Sequence, residues 1–177
     1  DASPRMNVFL VGPMGSGKSA VGRQLAQRLA LEFIDSDHEI EARTGVDIGY
    51  SCAREGEAGF RSREAEVLDA ITRRDQVLVA TGGGAVLDAG TRERLRTRGR
   101  VVYLRTSVDQ QLARTRRSND RPLLNNDDPR GTLERLYQQR APLYTEVAEF
   151  VVDTDGRKVK AVVDQICQRL VADGREP

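Results

Sequence analysis

The 177-residue sequence has no tryptophan, a single histidine (His38) and two cysteines, Cys52 and Cys167. Two cysteines exclude a disulfide framework and a cysteine-based zinc site, and they fit a reducing cytoplasm better than an oxidising compartment. Long apolar runs are missing as well: no stretch approaches the roughly 20 residues that a membrane span needs. Asp1 to Met6 holds no apolar signal core, so nothing there marks the chain for export and a cytoplasmic protein is expected. Charge of one sign is also lacking. With 28 basic and 27 acidic residues the net charge is +1, which gives no global field to draw in nucleic acid or an anionic membrane. Lysine is scarce: 25 of the 28 basic residues are arginine, leaving Lys18, Lys158 and Lys160. A genome rich in G and C produces that bias by itself, so each arginine is judged by its position.

What is present is a globular balance, 38% apolar and 31% charged, in a chain of one-domain length spanning 1–177. A domain of this size buries roughly 70% of its unfolded surface and needs no metal or disulfide to hold a core. Short apolar runs alternate with longer amphipathic stretches, with no linker, repeat or low-complexity segment. Strands are expected at Asn7–Val11, Phe33–Ile34, Val77–Ala80, Val101–Leu104 and Phe150–Val152. Helices are expected at 18–29, 37–43, 59–72, 91–96, 108–116, 133–144 and 159–171. Such alternation implies a parallel sheet with helices on both faces and right-handed crossovers. Ligands of such sheets bind outside the carboxyl ends of the strands, so the residues just after each short apolar run are where chemistry is sought. The polar stretch 117–129 has no periodicity and reads as a mobile loop or lid.

Gly12-Pro13-Met14-Gly15-Ser16-Gly17-Lys18-Ser19 follows the first strand and matches the phosphate-binding loop G-x-x-x-x-G-K-[ST]. Its glycines let successive backbone N–H groups turn around a phosphate, and the helix behind adds its positive end. Lys18 supplies a point charge and Ser19 a hydroxyl for Mg²⁺. Asp35-Ser36-Asp37-His38-Glu39 closes the second strand. Ser36 as N-cap with Glu39 completing a capping box accounts for two of these residues. The two aspartates suit a water on a metal and a proton acceptor for an attacking hydroxyl. His38, with no partner in sight, reads as a surface residue. Gly56-Glu57 and Phe60-Arg61 lead into a helix. Gly82-Gly83-Gly84 costs backbone entropy, so something approaches that backbone closely, unless the glycines serve only a turn. Arg121-Pro122-Leu123-Leu124 lies in the suspected lid. Arg140-Ala141-Pro142-Leu143-Tyr144 puts proline inside an apparent helix, at about 3 kcal/mol in an ordinary interior, so a kink or irregular turn is expected there.

These stretches, in this order from about Val8 to Leu170, resemble the shikimate kinase family. The resemblance implies an α/β, three-layer P-loop kinase fold with a five-stranded parallel sheet, a substrate-binding segment near 37–65 and a mobile lid near 116–129. It implies transfer of the γ-phosphoryl group of ATP to the 3-hydroxyl of shikimate, with Mg²⁺ as cofactor, ATP/ADP and shikimate as partners, and no nucleic acid or membrane. Carried over, Gly15, Ser16, Gly17, Lys18, Ser19 and Ala20 hold the nucleotide, with Ser19 and, through water, Asp35 on the metal. Asp37 meets the substrate hydroxyls as the base, Arg61 and Arg140 grip the carboxylate, and Gly82, Gly83 and Gly84 border the ring. Arg121 contacts the phosphates from the lid, while Arg114 and Arg157 lie near the adenine. Lys18, Asp37 and Arg121 form the catalytic set. One departure is Gly49-Tyr50-Ser51-Cys52, where related sequences carry a stretch such as Pro-Trp-Ile-Phe. A gluconate-type kinase and a catalytically silent nucleotide-binding module are the competing readings. A monomer is the default for a chain with no exposed apolar seam.

Overall fold

The computed structural model describes residues 6–45, 48–115 and 127–172, and gives the backbone alone for 48–55. Chain order is β1 (Val8–Val11), α1 (Lys18–Leu29), β2 (Glu32–Asp35), α2 (Ser36–Thr44), α3 (Ile48–Thr72), β3 (Val77–Ala80), a 3-10 turn (Ala85–Leu87), α4 (Ala89–Arg98), β4 (Arg100–Arg105), α5 (Val108–Thr115), α6 (Pro129–Val147), β5 (Phe150–Asp153) and α7 (Val159–Ala172). The strands form one parallel sheet in the order β2-β3-β1-β4-β5.

The sheet's central strand carries its position in its composition. All four residues of β1, Val-Phe-Leu-Val, are fully buried, as a strand covered on both faces must be. Alternate side chains divide between two cores. Phe9, Val11, Val77, Val79, Val101 and Tyr103 face α2, α3, α4 and α6, and Val8, Leu10, Leu78, Val102, Leu104 and Val152 face α1 and α7. The period of two along each strand thus produces the three layers. The register pairs Leu10 with Ala80 and Asp35 with Ala80, which brings the ends of β1, β2 and β3 level. Gly12, Ser36 and Gly82 therefore emerge side by side at the carboxyl edge.

Two helix starts and one helix interior differ most from expectation. Helix α3 begins at Ile48, well before Gly59, and is interrupted at Gly56 (φ 74°, ψ 169°); the glycines hide a helical segment that a loop-like composition conceals. Helix α6 starts at Pro129, with the Asp128 carboxylate accepting from Gly131 N–H, so the last residues of the expected lid are a capped helix start. The rest of that segment, 116–126, lies outside the described residues. Pro142 was expected to bring a kink or irregular turn, yet α6 runs on through it to Val147. The proline sits on the helix's exposed side while Arg140 and Tyr144 are buried.

Candidate active site

The loop after β1 is shaped by side-chain donors to its carbonyls. Lys18 Nζ donates to Gly12 O and Pro13 O at 2.7 and 2.8 Å. From α5, Gln111 Nε2 donates to Met14 O at 2.9 Å and an Arg114 guanidinium nitrogen to Gly15 O at 2.8 Å. With the carbonyls of Gly12 to Gly15 each taken by a side chain, the loop has the make-up of a backbone anion nest. Helix α1 then starts behind Gly17, which sits at φ +89° with no side chain bonded to the helix's first amides. Only glycine adopts that conformation without strain, and the positive end of the helix attracts negative charge.

A cleft of about 290 Å³ opens over this loop, lined by Met14, Gly15, Gly17, Lys18, Ser19, Ala20, Asp35, Asp37, Ala80 to Gly83 and Arg114. Ser19 Oγ donates to Asp35 Oδ2 at 2.8 Å. Hydroxyl and carboxylate together are the hard oxygen donors that Mg²⁺ prefers. Among the described residues no cluster of three or more His, Cys, Asp or Glu could hold a metal unaided, so a Mg²⁺ here would take most of its ligands from phosphate oxygens and water.

The cap of α2 corrects the sequence reading. Asp35, not Ser36, is the N-cap: its Oδ1 accepts from Asp37 N–H and His38 N–H. Ser36 is fully buried and its Oγ accepts from Gly82 N–H at 3.0 Å, stitching the end of β2 to the turn after β3. Asp35 therefore serves the helix and the Ser19 hydroxyl at once, and Asp37, one turn in, is left to face the cleft. His38 is exposed, as expected.

The glycine turn is approached closely from two sides. A methyl group at Gly82 would lie 2.6 Å from Asp37 Oδ1 and 3.1 Å from Glu64 Oε2, and one at Gly84 would overlap the Arg61 guanidinium. An Arg140 guanidinium nitrogen lies 3.6 Å from the corresponding position at Gly83. Arg61 donates to Glu64 Oε1 at 2.8 Å and lies over the Phe60 ring at 5.1 Å. Arg140 and Glu64 are only 4% and 3% exposed. Burial pushes the Glu64 carboxyl up, opposed by Arg61 and Arg140 and reinforced by Asp37. Among the buried side-chain atoms here, Arg61 Nε, Arg140 Nε and Glu64 Oε2 have no hydrogen-bond partner. Buried polar groups are rarely left so, and two such guanidinium donors beside a polar cleft suit an anionic ligand.

The fold thus brings Lys18, Ser19, Asp35, Asp37, Gly82, Gly83 and Arg114 to one cleft, with Arg61 and Arg140 against its glycine wall. Arg157 is absent from that lining. Its guanidinium donates to Asp153 O, Ala161 O and the Gln165 side chain. Arg121, and the side chains of Gly49-Tyr50-Ser51-Cys52, lie outside the described residues. Sequence reasoning missed the parts played by Glu64, Gln111 and Tyr144. Glu64 follows Arg61 at i+3, a spacing that signals a helical ion pair. Nothing local signals Gln111, whose partner is 97 positions away.

Comparisons with known proteins agree with this geometry. The family model described as shikimate kinase matches residues 14–171. Shikimate kinases of Shewanella amazonensis and Pseudoalteromonas atlantica are 53% and 50% identical, each alignment covering 94% of this chain and 97% of the relative. A solved structure of shikimate kinase from Acinetobacter baumannii in complex with shikimate superposes with a TM-score of 0.95 at 45% identity, covering 99% of this chain and 98% of that one. A sequence match of this extent, on a sheet whose edge gathers the motif residues into one cleft, places the chain in the shikimate kinase family.

Proposed function

We propose that this protein transfers the γ-phosphoryl group of ATP to the 3-hydroxyl of shikimate, giving shikimate 3-phosphate and ADP, a step toward the aromatic amino acids. The observation that carries this reading is the adjacency of two unlike cradles: a nest for phosphate around Lys18 and two guanidinium groups, half-buried Arg61 and buried Arg140, across Asp37 and the glycine turn. An acceptor with a carboxylate at one end and hydroxyls at the other spans that distance with its charge paired.

The phosphate tail of ATP rests on the amides of Gly15 to Ala20 and on Lys18, whose ammonium neutralises charge as the bond to the leaving ADP oxygen breaks. Ser19 through its hydroxyl, and Asp35 through water, would hold Mg²⁺, which would offset charge on the phosphate oxygens. Arg61 and Arg140 hold the acceptor's carboxylate, and Gly83 borders its hydroxyls. Asp37 accepts the proton of the 3-hydroxyl as its oxygen bonds to the γ-phosphorus. Little covalent chemistry is asked of the protein; positioning and charge supply most of the effect. Arg121 would add its charge from the lid, Arg114 lies at the nucleotide end of the cleft, and Arg157 is assigned to the adenine by resemblance alone.

An assay coupled to ADP release, run with shikimate and with gluconate, tests the reading. Turnover with shikimate and not gluconate is expected; no turnover with shikimate at millimolar concentration would overturn it.

A further inference from the structure

The Gly82-Gly83-Gly84 turn has no Cβ to restrict it, so its shape depends on what its peptide groups bond to. Gly82 N–H donates to Ser36 Oγ at 3.0 Å. Gly82 O and Gly84 O accept from Ala85 N–H and Leu87 N–H, each at 3.1 Å, within the turn itself. Gly83 O is bonded from another element: the Tyr144 hydroxyl of α6 donates to it at 2.5 Å. The two peptide planes that meet at the Gly83 Cα are thereby both fixed, one by Ala85 and one by Tyr144. Each plane carries its N–H opposite its C=O, so holding Gly82 O and Gly83 O also sets where the N–H groups of Gly83 and Gly84 point.

Tyr144 is 2% exposed, and it lies one helical turn beyond Arg140, on the same face of α6. Burial pushes its phenol up, and Arg140 is the strongest opposing influence. The phenolic proton goes to Gly83 O, and an Arg140 guanidinium nitrogen lies 3.6 Å from where a Cβ would stand on that same glycine. The hydroxyl therefore sits between the two parts of the acceptor cradle, one a backbone turn and one a buried cation.

We propose that Tyr144 is a positioning residue for the acceptor: its hydroxyl holds the glycine turn in register with the face of α6 that carries Arg140. This rests on the functional reading above, since it assigns the register to the shikimate side of the cleft and not to the nucleotide side. The phosphate loop is held separately by Gln111 and Arg114, so losing the Tyr144 hydroxyl should leave it intact.

The test is Tyr144→Phe, which keeps the ring stacked near Tyr103, 5.0 Å away between centroids, and removes one oxygen. KM for shikimate should rise about tenfold, the cost of one buried hydrogen bond, with kcat and KM for ATP within about twofold of the parent. Tyr103→Phe is the control: it removes a hydroxyl from the same buried aromatic pair and should leave KM for shikimate unchanged. An unchanged KM for shikimate in Tyr144→Phe would overturn the proposal, as would an equal rise for ATP or an equal rise in the control. Absence of shikimate turnover in the parent protein would overturn the functional reading, and this inference with it. Parent turnover with an unaffected Tyr144→Phe would overturn this inference alone.

Discussion

The two cradles of this cleft are built in opposite ways. The phosphate cradle comes from one run, Gly12 to Ala20, between a buried strand and a helix start, and its cation is part of the run. The acceptor cradle draws on α2, α3, the glycine turn and α6, and its charges are buried before any ligand is considered: Arg140 and Glu64 are 4% and 3% exposed. A local nest is specified by backbone conformation, with Gln111 and Arg114 holding its carbonyls from α5. A tertiary cradle is specified by charge balance, because a buried ion without its partner destabilises the fold as well as the site.

Removing the cation of the local nest should produce the largest effect. Lys18→Ala should lower kcat by about 10³-fold or more at saturating substrates while leaving the thermal midpoint close to that of the parent; steady-state rates and a melting curve check both halves. Asp37→Asn, at the border of the two cradles, should lower kcat by about 10²- to 10⁴-fold with ATP binding retained. Near-normal turnover would remove Asp37 from the chemistry.

Across the cleft, Arg140→Ala should raise KM for shikimate by roughly 10- to 100-fold, the loss of a charged hydrogen bond or two. It should also lower stability, since Glu64 loses one of its two neutralising neighbours. A loss of ATP affinity instead would erase the distinction between the cradles. Glu64→Gln sharpens it further. Glu64 is raised above 4.5 by burial, so the folded state holds its proton more tightly than the unfolded chain, and stability falls as pH rises from 4.5 through the folded value. The glutamine variant should lack that slope in urea titrations across this range. The smallest effect belongs outside both cradles: Arg98 and Arg73 hold Asp69 below its usual 3.8, a stabilisation present above that value and lost as pH falls through the folded one. Asp69→Asn should flatten only this acid limb and leave kinetics untouched, because Asp69 lies outside the cleft lining.

The same contrast explains what could be read in advance. The phosphate loop is contiguous, and its glycines, lysine and serine announce themselves by spacing. The strands are equally plain, since burial on both faces demands unbroken apolar runs such as Val77–Ala80. Arg61, Arg140 and the triple glycine became legible only together, through family resemblance, because tertiary proximity leaves no spacing signal. The cap of α2 was misassigned because Ser36 and Asp35 are both good capping residues; a strand register decided it by pulling Ser36 toward Gly82. Pro142 misled for a different reason. A local penalty of about 3 kcal/mol was outweighed by a helix whose inner face anchors Leu133, Arg140, Tyr144 and Val147.

Helix α1 opens at Gly17, a residue with no side chain to cap it, while the body of the helix is packed on α7 and the sheet. The scaffold is thus left incomplete at one point, and a phosphate oxygen is the group that finishes it. Nucleotide then acts as a structural part as well as a reactant. Excess ADP should raise the melting temperature in proportion to the logarithm of its concentration, so resistance to heat in this protein becomes a readout of how full its own cleft is.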